Sequence, residues 1–125
     1  MEALRQFEKK QYLNLETFRK NGQGVKTPVW FVQDGETLHA WTYAGSGKAK
    51  RIRRDGSVRV VPSTAAGEPR GEWGSAQAVV DDSPEAVQHV ESLMKKKYGF
   101  LFLLFRGQAN RKKTKSTTLK ISLAQ

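Results

Sequence analysis

The feature that most constrains this chain is a run of three strand-like segments joined by two tight-turn signals, all before residue 45. Tyr12, Leu13 and Leu15, followed by Thr17-Phe18, read as one strand. Asn21-Gly22-Gln23-Gly24 supplies residues that tolerate positive φ, which suits a hairpin turn. Val25 to Val32 is rich in β-branched and aromatic side chains and forms the second strand. Asp34-Gly35 is a stronger hairpin signal, and Leu38 to Tyr43 alternates as a third strand. Strands joined by such short turns must run antiparallel, so the chain starts as a meander.

The remainder extends that pattern. Ala44-Gly45-Ser46-Gly47 is a small-residue loop, and Ser46 can cap a helix over residues 48–54 with Ala49 and Ile52 facing inward. Asp55-Gly56 stops it. Ser57 to Ser63 is a fourth strand, in which Pro62 demands an edge or a bulge. Glu72 to Val80 is a fifth. Ser83-Pro84-Glu85 opens a helix that runs to about Lys97 and ends at Tyr98-Gly99. Phe100 to Phe105 fits a helix or a strand. Thr117 to Leu123 alternates as a sixth strand, and residues 2–10, with Leu4 and Phe7 at helical spacing, suit a short amphipathic helix. Six strands with a few short helices predict a mainly β fold, a small antiparallel barrel. A length of 125 residues predicts a single domain over 1–125.

Charge narrows the partners. Lysine and arginine number 22 against 12 acidic residues, a net +10, which favours nucleic acid, a phosphorylated cofactor or an anionic membrane surface. One basic cluster holds Lys48, Lys50, Arg51, Arg53, Arg54 and Arg59. A second starts at Lys95-Lys96-Lys97 and continues through Arg106, Arg111, Lys112, Lys113, Lys115 and Lys120, and no acid follows Glu91. The absence of cysteine removes disulfides, thiolate catalysis and zinc-thiolate sites. The longest apolar run, Phe100 to Phe105, would span only about 9 Å as a helix, far short of a bilayer. Met1-Glu2-Ala3-Leu4 lacks the charged-then-apolar order of a secretory signal. A cytoplasmic location and no membrane partner are therefore expected.

No catalytic constellation stands out. His39 and His89 have no second histidine at ligand spacing and read as structural or surface residues, so neither a catalytic nor a metal site is nominated. Asp81-Asp82 leads directly into a helix cap. Ser46-Gly47-Lys48-Ala49-Lys50-Arg51 offers free helix amides beside cations, which is either a phosphate site or a solvated basic face. It is no Walker motif and follows no parallel βαβ unit. Pro28, within Thr27-Pro28-Val29-Trp30-Phe31-Val32, breaks the ladder, marking either an edge strand or a gap where a flat ligand can meet main chain. Trp73, in Gly71-Glu72-Trp73-Gly74, is a core plug or a cofactor lid.

Taken in order, these segments resemble the split-barrel flavin-binding superfamily typified by pyridoxamine 5′-phosphate oxidase. The nearest branch is the PPOX-class F-420-dependent oxidoreductases. The resemblance runs through Thr27–Val32, Asp34-Gly35, Leu38, Trp41-Thr42, Ser46-Gly47-Lys48, Lys50–Arg53, Val58–Pro62 and Gly71-Glu72-Trp73. Lys97-Tyr98-Gly99 and the last strand also fit. It implies a six-stranded split barrel that pairs as a homodimer, with FMN or coenzyme F-420 in a groove between subunits. The phosphate would lie near Ser46, Gly47, Lys48, Lys50 and Arg51. The ring would lie along Pro28, Val29 and Trp30 with Thr42 nearby. Val60 and Pro62 would line the groove, and the partner's Trp73 would reach it. One departure is the short stretch between Tyr98-Gly99 and the last strand, where a helix is expected to pack its aromatics on the barrel or on the partner.

The resemblance implies an oxidoreductase that moves a hydride between the bound cofactor and a small-molecule substrate, with no acid or base needed from the protein. Lys50, Arg53, Arg54 and Arg59 exceed what one FMN phosphate requires, which favours the more anionic F-420. Two rivals stand beside this reading. One is a nucleic-acid-binding barrel, disfavoured because Trp30, Phe31 and Trp41 fall in apolar segments. The other is a non-catalytic flavin carrier or sensor.

Overall fold

The computed structural model describes residues 2–111 and 115–124. Lys112 and Lys113 of the second basic cluster lie outside the described residues. Six strands, β1 (Tyr12–Phe18), β2 (Gly24–Asp34), β3 (Thr37–Tyr43), β4 (Ser57–Ser63), β5 (Gly74–Asp81) and β6 (Ser116–Leu123), form a closed antiparallel barrel in the order β1-β2-β3-β6-β5-β4. Four helices accompany them: α1 (Glu2–Arg5), α2 (Gly47–Arg54), α3 (Pro84–Tyr98) and α4 (Phe100–Arg111).

The helix caps form where the sequence puts them. The hydroxyl of Ser46 accepts from the Ala49 amide, and that of Ser83 accepts from Ala86 with Pro84 in the first turn. Gly99 closes α3 with φ at 62°, a left-handed conformation that glycine adopts at little cost. Phe100–Phe105, open to two readings in sequence, is helical.

Two boundaries differ from expectation. Helix α1 ends at Arg5, and Phe7 and Glu8 continue as turns. Strand β5 begins at Gly74 rather than Glu72. The reason is Gln6: its amide donates to the Glu72 carbonyl at 2.8 Å and accepts from the Glu72 N–H at 3.0 Å. That side chain takes the main-chain groups a ladder would have used.

Alternation fills the barrel. Leu13, Leu15, Phe31, Leu38, Ala40, Val60, Leu119 and Ile121 are wholly buried, and Leu4 and Phe7 join the same core. The ring of Phe7 meets that of Phe31 edge-on at 5.8 Å. A second apolar cluster, Val32, Trp41, Val90, Met94 and Phe102, seals α3 and α4 onto the outer face of β2 and β3.

The barrel is not evenly laced. β2 pairs with β1 over Gly24–Trp30 but with β3 only over Phe31–Asp34. Pro28 therefore sits where one side of the strand has no partner, as its missing N–H requires. Pro62 does likewise. It pairs with Leu13 of β1 beyond the point where β5 leaves β4, and its carbonyl accepts from the Arg70 amide at 2.7 Å. The expected edge or bulge is thus a one-sided stretch of a closed barrel.

Phe7→Ala should cost about 3–5 kcal/mol of stability in urea unfolding, as for a buried aromatic ring in a close-packed core. A cost below about 1 kcal/mol would mean that the N-terminal segment is not part of the cooperative core.

Candidate functional site

Past Phe31 and Ala40 the two strands of the β2–β3 hairpin part. β2 turns to β1 while β3 stays with β6 out to Tyr43. The fork leaves main-chain edges unpaired, and a cavity of about 400 Å³ lies in it. One prong contributes Pro28, Val29 and Trp30, with Tyr12 beside them. The other contributes Trp41, Thr42 and Tyr43. Met94 of α3 and Phe102 and Phe105 of α4 complete the walls, and Lys48 of α2 stands at the end.

The aromatic wall is held from behind. Trp30 stacks on Tyr98 with centroids 4.4 Å apart and planes 6° from parallel. The Tyr98 hydroxyl accepts from the Phe31 amide at 3.0 Å and lies 2.6 Å and 2.8 Å from the carbonyls of Gln11 and Phe31. It stands where β1 ends and caps the ladder there. Burial pushes this phenol above its usual range. Next to it the Lys97 ammonium donates to the Phe31 carbonyl at 2.8 Å and lies 3.7 Å from the Phe31 ring centre. Burial lowers its pKa from 10.5 to about 8. On the other prong the Trp41 indole donates to Glu91 at 3.1 Å, and Phe105 lies 5.9, 5.7 and 6.5 Å from Trp30, Trp41 and Tyr43.

Lys48 is the charged group of the cavity lining. Burial, and secondarily the charge of Arg51, holds its pKa below the usual lysine range. It emerges from the first turn of α2, where the Ala49 amide is taken by the Ser46 hydroxyl and those of Gly47 and Lys48 precede the first intrahelical bond. A side chain at Gly47 would come within 2.8 Å of the Arg51 guanidinium, so glycine here lets Arg51 lie across the helix start. Arg51 also donates through Nε to Thr17 at 2.6 Å.

Of the residues singled out in sequence, Pro28, Val29, Trp30, Thr42 and Lys48 meet in this cavity. Ser46 lies just outside it, in a shallow depression shared with Tyr43, Gly45 and Lys115. Lys50 and Arg51 line another with Arg19, Lys20 and Arg54. Val60 and Pro62 do not line the cavity: Val60 points into the barrel core and Pro62 is buried against β1. Trp73 is neither core plug nor lid within this chain. It lies half-buried near Lys26 and Arg59, each cation 5.3 Å from its ring centre. The sequence reading missed Tyr12, Trp41, Tyr43, Met94, Phe102 and Phe105 as lining. Tyr43 was findable, because it follows Trp41 by two residues on one strand face.

His39 and His89 stand apart from the cavity, with ring centres 6.4 Å apart and His89 2.8 Å from Asp34. Among the described residues no group of three or more histidine, cysteine or acidic side chains could hold a metal ion.

No family model matches the chain, and no curated protein matches its sequence. Solved structures do match its fold. HutZ, the heme storage protein of Vibrio cholerae, aligns with a TM-score of 0.74 at 15% identity, covering 99% of this chain and 89% of its own. A candidate pyridoxamine 5′-phosphate oxidase from Listeria innocua aligns at 0.70 and 17%, covering 99% and 92%. An F420 reductase aligns at 0.64 and 14%, covering 98% and 93%. The fold is therefore the split barrel of these proteins.

Tyr98→Phe keeps the stack on Trp30 but strands the Phe31 amide, and should cost about 1–3 kcal/mol in urea unfolding. A neutral result would mean that the hydroxyl does not hold the fork. Lys97 keeps its proton longer when unfolded, because its folded pKa is the lower one. Stability should therefore rise from pH 8 toward 10, and Lys97→Met should flatten that rise. Above about pH 10 the raised phenol of Tyr98 acts the other way.

Proposed function

We propose that the chain binds a phosphate-bearing planar redox cofactor, coenzyme F-420 or FMN, in the β2–β3 fork and acts as an oxidoreductase on a small molecule. The observation that carries this reading is the fork itself: unpaired strand edges between two aromatic walls, with a lysine and a helix N-terminus at one end. A flat heteroaromatic ring needs apolar faces and main-chain donors and acceptors at its edges. A phosphate needs cations and free amides. The residues present fit both halves of such a molecule.

In this assignment Lys48 and the α2 amides hold the phosphate, with Ser46 and Gly47 shaping the turn and Arg51 adding charge. Pro28, Val29 and Trp30 support the ring, and Thr42 faces it from the other prong. The cofactor supplies the hydride chemistry when bound; the protein binds, orients and excludes water. The depression formed by Arg19, Lys20, Lys50, Arg51 and Arg54 offers further anion contacts next to the phosphate site, which favours F-420 over FMN. The chain is also proposed to work as a homodimer, with the partner's Trp73 reaching the groove. Support for this is that Trp73 presents its ring on the barrel surface, away from its own chain's cavity.

A carrier without turnover is the second reading, and the fold shared with a heme storage protein favours keeping it. Reduction of the bound cofactor followed by its reoxidation with candidate acceptors separates the two.

Lys48→Ala with Arg51→Ala should weaken binding of F-420 and FMN at least tenfold, since a charge-assisted hydrogen bond contributes about 1.5–3 kcal/mol. Fluorescence titration measures this, with thermal unfolding as the check that loss of the Thr17 contact has not unfolded the chain. Unchanged affinity in a folded double variant would remove the phosphate from this end of the fork. Light scattering should give the mass of a dimer.

A further inference from the structure

Helix α4 leaves much of its apolar surface uncovered. Its first half, Phe100–Phe105, consists entirely of large apolar residues, yet only Phe102 is buried. Phe100 is 71% exposed, Leu101 61%, Leu104 52% and Leu103 42%. At about 100° per residue, Phe102 and Phe105 share the side that meets the barrel. Phe100, Leu103 and Leu104 fall on the opposite side.

The charge around this face selects its partner. Lys95 and Lys96 are exposed in the last turn of α3, a few residues before α4 begins, and Arg106 follows Phe105 on α4. Glu91, the last acid in the sequence, is already engaged by Arg106 at 3.7 Å and by the Trp41 indole. A two-fold contact of this face with itself would add the like charges of Lys95 and Lys96, and Glu91 is already paired with Arg106. A surface with an apolar interior and an anionic skin satisfies both features at once.

We propose that α4 docks the protein peripherally on an anionic lipid bilayer. Phe100, Leu103 and Leu104 enter the boundary between headgroups and acyl chains, and Lys95 and Lys96 meet the lipid phosphates. This adsorbs the protein and does not span: no helix among the described residues is long and apolar enough to cross a membrane. The proposal runs against the sequence-based expectation of no membrane partner, which rested on Phe100–Phe105 being too short to span.

The test is co-sedimentation of the full chain with vesicles of phosphatidylcholine alone or with one quarter phosphatidylglycerol. Partitioning should be at least tenfold stronger on the anionic vesicles and should fall as salt rises. Leu103→Ser with Leu104→Ser, at exposed positions, should lower it at least tenfold without changing thermal stability, oligomeric mass or cofactor affinity. Lys95→Gln with Lys96→Gln should also weaken it. Equal binding to both vesicle types overturns the proposal. So does anionic binding that the double serine variant leaves intact, which would be mere adsorption of a +10 protein. A change of oligomeric mass in that variant also overturns it, assigning the face to a second copy. Cofactor titration of the same variants reads the redox site separately, so either claim can fail alone.

Discussion

At Phe31 the second strand changes partners, and one phenol makes the change possible. Beyond Tyr12 the first strand can no longer satisfy the main chain of Phe31, and the Tyr98 hydroxyl takes its place. Because the same tyrosine stacks on Trp30, the group that caps the ladder also fixes the aromatic wall of the cavity. Helix α3 supplies the tyrosine, so the seal of α3 on the sheet through Val90 and Met94 sets the geometry of the fork. A buried polar contact and an apolar cluster here depend on each other.

Electrostatics follows from the same arrangement. The cavity walls are apolar, so Lys48, the one cation among the described residues that enters them, is partly stripped of water and further disfavoured by Arg51. Such a pair gains by acquiring an anion between or beside its members. The remaining cations divide by location: some ring the start of α2, some flank Trp73, and some rim α4. A net charge of +10 therefore describes several local surfaces rather than one field.

Much of this was legible in the residues. Turn chemistry at Asn21–Gly24 and Asp34-Gly35 gave the meander, and Ser46 and Ser83 gave two helix starts to within a residue. Pro28 marked the unpaired stretch because a missing N–H is a local property that tertiary context cannot repair. What escaped was whatever depends on distant segments meeting. The shift of β5 needed Gln6, 66 residues away from Glu72. Met94, Phe102 and Phe105 reach the cavity only because α3 and α4 cross the outer face of β2 and β3, which periodicity does not reveal. Phe100–Phe105 was ambiguous for a related reason: an all-apolar run has no period to read.

The fork carries a hazard as well as an opportunity. Unpaired strand edges can recruit another strand, and a protein that keeps them open invites self-association through main-chain pairing. Pro28 limits this hazard, since it removes a donor from the exposed edge of β2 and an incoming strand would find its ladder interrupted there. Phe105 adds bulk between the prongs, its ring 5.9 Å from that of Trp30 and 6.5 Å from that of Tyr43. The proline that leaves this edge without a donor thus also makes it a poor template for another strand.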